Sequence, residues 1–490
     1  MRILFVAAEA TPLVKVGGLA DVVGSLPKAL SELGHDVRVM MPRYGVIDAG
    51  RFSVATAIDD FNIRVMNTTK SVSLKVTELS DGGKVYLVDS ADFSGSSEVY
   101  GKDALKRFFL FCRAVLEILP KLDWQPELVH CHDWHTALIP LWLKRNDYHY
   151  ASLFTIHNLA YQGPFDDKFL SDSGLRRDWQ SRPANVPEPP LNCMSQGILW
   201  ADMVTTVSET YAREIVTPEY GERLDPLLRY RREKLLGIVN GLDYEEYNPA
   251  TDPLIPANYD CSTLDKRIAN KLALQKQAKL PENAEIPLIG MVSRLDEQKG
   301  LDIVAESLDF LLHKTRAQMV ILGKGIEYYH GLLKQAANKY LKQLAVVIGF
   351  DNALAHRIYA GCDMFLMPSR FEPCGLGQLI AMRYGAVPVV RRTGGLADTV
   401  QDLTQNLGEG TGFVFHDYDS KALVTAIRRA VDAYQEKEAW RKVMQRIMAL
   451  DFSWQASAKK YESLYYKTLE LKGYAKSQSA VGLSRRFRRD

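Results

Sequence analysis

Val16-Gly17-Gly18-Leu19-Ala20-Asp21-Val22-Val23 and Thr393-Gly394-Gly395-Leu396-Ala397-Asp398-Thr399-Val400 are two versions of one pattern, set far apart in a chain of 490 residues. Each follows an apolar run that reads as a strand, after a short loop, and each opens a helical pattern. Paired glycines at such a point let a backbone approach a ligand and turn N–H groups toward an anion. A single turn of this kind is a common helix entry. Two of them, one in each half of an α/β chain, point to two doubly wound domains facing each other across a central cleft.

The sequence around each turn fits. In the first half the expected strands are Ile3–Ala8, Asp36–Met41, Val85–Val88, Leu128–Cys131, Ala151–Ile156 and Met203–Val207. Leu19, Val22, Val23, Leu26 and Leu30 recur at helical spacing, with Pro27 expected to kink that helix. In the second half Ile286–Val292, Gln318–Leu322, Ala345–Ile348, Met364–Met367 and Val387–Val390 read as buried parallel strands, with helices such as Ile303–Leu312 and Leu332–Tyr340 between them. Regular structure lapses from Asn240-Gly241-Leu242-Asp243 through Pro256, which sets the domains at 1–242 and 243–451.

Composition excludes several classes. The length exceeds one typical domain, and 47% hydrophobic with 24% charged residues is ordinary globular usage. A net charge of +2 argues neither for nor against a polyanionic partner. The basic run Arg485-Arg486-Phe487-Arg488-Arg489 reads as a solvated tail within 473–490, so neither nucleic acid nor a membrane is expected. Six scattered cysteines without a CxxC pair argue against a zinc framework or a disulfide scaffold. The apolar run Ile3–Ala8 is too short for a signal or a transmembrane segment, and a cytoplasmic protein is expected.

Residues able to do chemistry gather after strands. Ser293-Arg294-Leu295-Asp296-Glu297-Gln298-Lys299-Gly300 offers a guanidinium fork and an ammonium, the pair that suits a diphosphate leaving group; alone it also reads as a solvated charged loop. Phe371-Glu372-Pro373-Cys374-Gly375-Leu376 places a carboxylate before a proline expected to open a helix, with the N–H groups of Cys374, Gly375 and Leu376 pointing outward. Lys15 adds a cation beside Gly17 and Gly18. His130-Cys131-His132-Asp133-Trp134-His135 suggests a metal by composition, but no further cluster completes a shell, so no metal is expected. His157 and Asn158, with Tyr161 and Gln162 following, read as a polar cleft wall.

Taken together, Lys15–Val22, His132–His135, His157-Asn158, Asn240–Asp243, Ser293–Gly300, Pro368–Leu376, Arg391–Val400 and Phe452-Ser453-Trp454 resemble, in order, the signatures of bacterial glycogen synthases and plant starch synthases, glycosyltransferase family 5. The likeness runs over roughly residues 1–470. It implies a GT-B fold of two Rossmann-like domains, with a C-terminal helix at about 452–472 crossing back onto the first. The first domain would lie on the acceptor side and the second would bind the nucleotide sugar. It implies transfer of glucose from ADP-glucose, with retention, to the non-reducing end of an α-1,4-glucan or maltooligosaccharide, without a cofactor. Arg294 and Lys299 would grip the diphosphate, assisted by Lys15 and the backbone at Gly18. Glu372 would hold glucose hydroxyls or steady developing charge. His157 would contact the glucose, Asp133 and Asn158 would line its site, and Glu9 and Asp21 would lie near the acceptor.

Three features depart from the pattern. Ile380 stands where many retaining transferases have a second glutamate, which weakens a two-carboxylate mechanism. Val16 replaces a threonine, and Ser195-Gln196-Gly197 replaces a lysine-bearing segment. A glucan phosphorylase would need a pyridoxal lysine in a longer chain. The Lys15–Asp21 signature argues against a sucrose- or trehalose-forming enzyme. Intact Lys15, His157, Arg294, Lys299 and Glu372 argue against a non-catalytic glucan-binding partner.

Overall fold

The first nine strands are β1 (Arg2–Val6), β2 (Asp36–Pro42), β3 (Val54–Val65), β4 (Thr68–Glu78), β5 (Lys84–Asp89), β6 (Leu128–His132), β7 (Ala151–Ile156), β8 (Met203–Thr206) and β9 (Leu235–Gly237), and they form one sheet in the order β3-β4-β5-β2-β1-β6-β7-β8-β9. The computed structural model describes residues 1–473 apart from 49, 81, 97, 181, 182 and 406, so nearly all of the basic tail lies outside the described residues. The inner strands pair in parallel, and each is an apolar run because helices cover both faces. Only the β3–β4–β5 edge is antiparallel. Its outer strand β3 is mostly exposed, carries Asp59 and Asp60, and shifts register twice, features that blunt an open edge.

Six further strands, β10 (Leu288–Val292), β11 (Gln318–Gly323), β12 (Leu344–Ile348), β13 (Met364–Met367), β14 (Val387–Arg391) and β15 (Phe413–Phe415), form a second sheet, all parallel, in the order β12-β11-β10-β13-β14-β15.

The chain divides into two compact units, residues 1–241 with 454–490, and residues 242–453, each with its own hydrophobic core. The helix Trp454–Lys472 belongs to the first unit. There Trp454, Tyr461, Leu464 and Tyr465 join the core, the Tyr465 hydroxyl lies 3.0 Å from His130 Nδ1, and Glu462 lies 2.9 Å from His35.

The helix Gly18–Glu32 buries Leu19, Val22, Val23, Leu26 and Leu30 and runs through Pro27 as one element. In each sheet one strand stands where the winding reverses: β1 between β2 and β6, and β10 between β11 and β13. The crevice outside the carboxyl ends at such a point is where open α/β sheets hold ligands.

Candidate active site

In the first unit the candidate residues follow β1, β6 and β7, at the switch point of that sheet. Glu9 is buried. One carboxylate oxygen accepts the N–H groups of Val16 and Gly17, and the other accepts the Tyr100 hydroxyl at 3.0 Å. Burial raises its pKa, although those three donors favour the charged form. Glu9 therefore braces the glycine turn. Lys15 and Asp21 pair with each other at 2.6 Å on the exposed side of that turn. A Cβ on Gly18 would meet no atom within 4 Å, so its backbone is open to a ligand.

Asp133, just after β6, adopts φ +56°, a left-handed conformation rare for a side chain with a Cβ. It is held there by its own N–H on the Thr155 carbonyl at 2.9 Å. Its Oδ1 accepts the His157 N–H at 2.8 Å, so Asp133 fixes the backbone on which His157 and Asn158 stand. Burial pushes the carboxyl up to about 7, against the N–H groups of His157 and Asn158. Four histidines lie alongside. Burial lowers His135 and His157 to about 3 and holds His130 and His132 well below the ordinary range, so all four rings are neutral at pH 7. Among the described residues no group of three His, Cys, Asp or Glu is arranged to hold a metal, and the cysteines are free thiols.

In the second unit the candidates follow β10 and β13, again at the switch point. Lys299 Nζ lies 2.6 Å from Glu372 Oε2, and the Ser369 hydroxyl donates to the same oxygen at 2.9 Å. Glu372 is only 5% exposed, so the ammonium that neutralises it also seals it. Arg294 is half exposed, on Asp296 at 3.0 Å and Gln298 at 2.8 Å. The two loops are stitched together by the Arg370 N–H on the Gln298 carbonyl at 2.9 Å, and Arg391 holds the Arg370 carbonyl at 2.6 Å.

Two expectations need correcting here. Pro373 does not open a helix: Leu376 caps one that begins at Gly377 and has only seven residues. Between them Gly375 takes φ +75°, and the Gln378 amide holds the carbonyls of Cys374 at 3.1 Å and Gly375 at 2.8 Å. The second glycine pair is not open to a ligand either. A Cβ on Gly394 would come 1.9 Å from the Glu372 carbonyl, and one on Gly395 would come 2.0 Å from that of Cys374. The Gly395 N–H donates to the Glu372 carbonyl at 3.1 Å, so these glycines let a helix start press against the Glu372 loop.

The structure thus groups Glu9, Lys15, Gly18, Asp21, Asp133, His157 and Asn158 in one unit, and Arg294, Lys299, Glu372, Cys374, Gly375 and Leu376 in the other. Sequence reasoning missed Tyr100, Ser369 and Gln378. Ser369 lies within the Pro368–Leu376 stretch already singled out and Gln378 two residues beyond it; Tyr100 carried no local signal.

Two family models match the chain, "Starch synthase catalytic domain" over residues 2–230 and "Glycosyl transferases group 1" over residues 274–446. The glycogen synthase of Moorella thermoacetica is 48% identical, over 96% of this chain and 97% of its own length. The chain belongs to the glycogen synthase family. That of Geotalea daltonii is 47% identical over 96% of the chain and all of its own length. Among solved structures, the catalytic domain of Arabidopsis thaliana starch synthase IV bound to ADP and acarbose superposes with a TM-score of 0.87 at 33% identity, covering 96% of this chain and 99% of that one. A sucrose-phosphate synthase from Thermosynechococcus elongatus, 18% identical with a TM-score of 0.59, shares the fold alone.

Membership of the glycogen synthase family makes the chain a glucosyltransferase of glycogen or starch synthesis, with two Rossmann-like units of the GT-B class. Ile380, in place of a second glutamate, is buried in the apolar core of its unit. No helix among the described residues is long and apolar enough to cross a membrane.

Proposed function

We propose that the chain transfers glucose from ADP-glucose, with retention, to the non-reducing end of an α-1,4-glucan in the cytoplasm, without a metal or other cofactor. The observation that carries the reading is the Lys299–Glu372–Ser369 cluster beside the half-exposed Arg294, at the switch point of the second sheet. An ammonium has three donors and Glu372 takes one, so Lys299 and the Arg294 fork suit the diphosphate of a nucleotide sugar. The starch synthase relative holding ADP supports the same donor class.

The roles are those that the family resemblance implies. Arg294 and Lys299 stabilise charge as the glucose C1–O bond breaks and its electron pair leaves with ADP. In the first unit, Lys15 and the open backbone at Gly18 offer a cation and an N–H to phosphate. Glu372 holds glucose hydroxyls or steadies the charge developing on the ring. His157, Asp133 and Asn158 bound the glucose site, and Glu9 and Asp21 support the acceptor side. The acceptor O4 bonds C1 on the face that ADP leaves, and its proton passes to the departing phosphate oxygen.

The test is transfer of radiolabelled glucose from ADP-glucose, and separately from UDP-glucose, to a maltooligosaccharide without added metal. Strong incorporation from ADP-glucose is expected. Incorporation from UDP-glucose alone overturns the donor; incorporation from neither, with glucan still bound, overturns catalysis in favour of a binding role.

A further inference from the structure

His132, on strand β6, touches no solvent and has no part in the roles above, yet its Nδ1 lies 2.9 Å from His157 Nε2. The two rings stack with centroids 5.2 Å apart and planes 29° apart. On its other sides His132 meets the rings of His130 at 4.1 Å and Phe5 at 5.2 Å. Both nitrogens of His130 are taken, by Thr155 at 2.6 Å and Tyr465 at 3.0 Å. His132 Nε2 is buried and finds no hydrogen-bond partner among the described residues.

Burial keeps both rings neutral, so the hydrogen bond between them carries a single proton and only two arrangements exist. If His157 donated from Nε2, His132 would accept at Nδ1 and hold its own proton on Nε2, where no described residue receives it. If His132 donates from Nδ1, its Nε2 keeps only a lone pair among buried neighbours. Buried donors without acceptors are rarer than under-satisfied acceptors, which selects the second arrangement. His157 Nε2 is then the acceptor, and the His157 proton sits on Nδ1.

We infer that His132 is a positioning residue that fixes His157 as a hydrogen-bond donor through Nδ1. His157 consequently offers a ligand an N–H and not a basic lone pair, which makes it a group that orients oxygen atoms and not one that takes a proton. The inference rests on the reading of His157 as a sugar contact, and it identifies the residue that sets how that contact works.

The experiment is long-range proton–nitrogen NMR on the full chain labelled with nitrogen-15 histidine, His157 and His132 being assigned from variants. The wild type is expected to show His157 protonated on Nδ1 with Nε2 bare, and His132 protonated on Nδ1. In His132→Phe, which keeps a flat ring and removes the donor, nothing holds the His157 lone pair on Nε2, so the two His157 tautomers should mix, and kcat should fall roughly 10–100-fold with a smaller change in KM. His132→Asn, whose side-chain amide stands near the lost Nδ1, should restore both the Nδ1-protonated His157 and most of kcat. A wild-type spectrum with His157 protonated on Nε2 overturns the inference. So does a His132→Phe protein with unchanged His157 protonation and unchanged kcat. Should that variant not fold, the wild-type and His132→Asn spectra decide. The spectra need no substrate, so a protein that shows the expected protonation but transfers no glucose sinks the catalytic reading and leaves the tautomer assignment standing.

Discussion

Lys299 and Glu372, 73 positions apart in sequence, meet through a 2.6 Å ion pair at the carboxyl ends of β10 and β13. Only 6% of the Glu372 side chain is exposed, so the pair has two jobs that substitution can separate. Lys299→Ala leaves a buried carboxylate unmatched, and breaking such a pair costs ~3–5 kcal/mol. It also removes a donor for phosphate charge, a loss of ~10²–10³ in kcat by comparison with other single donors. Lys299→Ala/Glu372→Gln should recover most of the stability and none of the turnover. Thermal midpoints beside transfer rates at saturating donor check both; near-normal turnover in Lys299→Ala would refute the diphosphate role.

Arg294 is the control for that separation. Its side chain is half exposed, and its partners Asp296 and Gln298 lie on its own loop. Exposed pairs of this kind contribute ~0–1 kcal/mol to stability. Arg294→Ala should therefore melt close to the wild type while losing ~10²–10³ in kcat. A large drop in melting temperature would recast Arg294 as a structural residue.

The paired glycines invite opposite results from one substitution. Gly18→Ala places a methyl group in open space, so folding should be undisturbed while the KM for the donor rises. Gly395→Ala drives a methyl group to 2.0 Å from the Cys374 carbonyl, and relieving that clash costs ~1–3 kcal/mol or more. It should lower the melting temperature and displace Glu372. Equal effects at the two sites would mean that Gly18 is not where a ligand approaches.

The contrast also marks what can be read from residues in order. Parallel strands such as Ile3 to Val6 and Gln318 to Leu322 were legible because both faces are buried, which leaves a continuous apolar run. The β3–β4 hairpin was not, because an exposed edge strand such as Val54–Val65 needs no alternation that a periodicity search would find. Lys299, Arg294 and Glu372 were legible as charge beside strand ends. That Lys299 would close on Glu372, that Glu9 would brace Gly17, or that Gly395 would press on the Glu372 loop depends on packing between segments distant in sequence. The same local pattern, Gly-Gly-Leu-Ala-Asp, leaves open space at Gly18 and supports a loop at Gly395 because only the neighbours differ.

Asp133 gives the clearest dependence on pH. In the folded protein its carboxyl is held at about 7 by burial, while the unfolded chain returns it to the ordinary 3.8. Its neutral form is thus the one that folding favours. The associated stability is whole below pH 3.8, declines as pH rises, and is gone above about 7, a span worth up to ~4 kcal/mol. Asp133→Asn stays neutral throughout and keeps an oxygen for the His157 N–H. The two proteins should match near pH 4, with the variant increasingly the more stable up to pH 7 and the gap constant beyond. Urea midpoints at pH 4, 5, 6, 7 and 8 measure that gap. A gap that does not change with pH would mean that Asp133 ionises at its usual value, and that its N–H partners outweigh the burial that surrounds it.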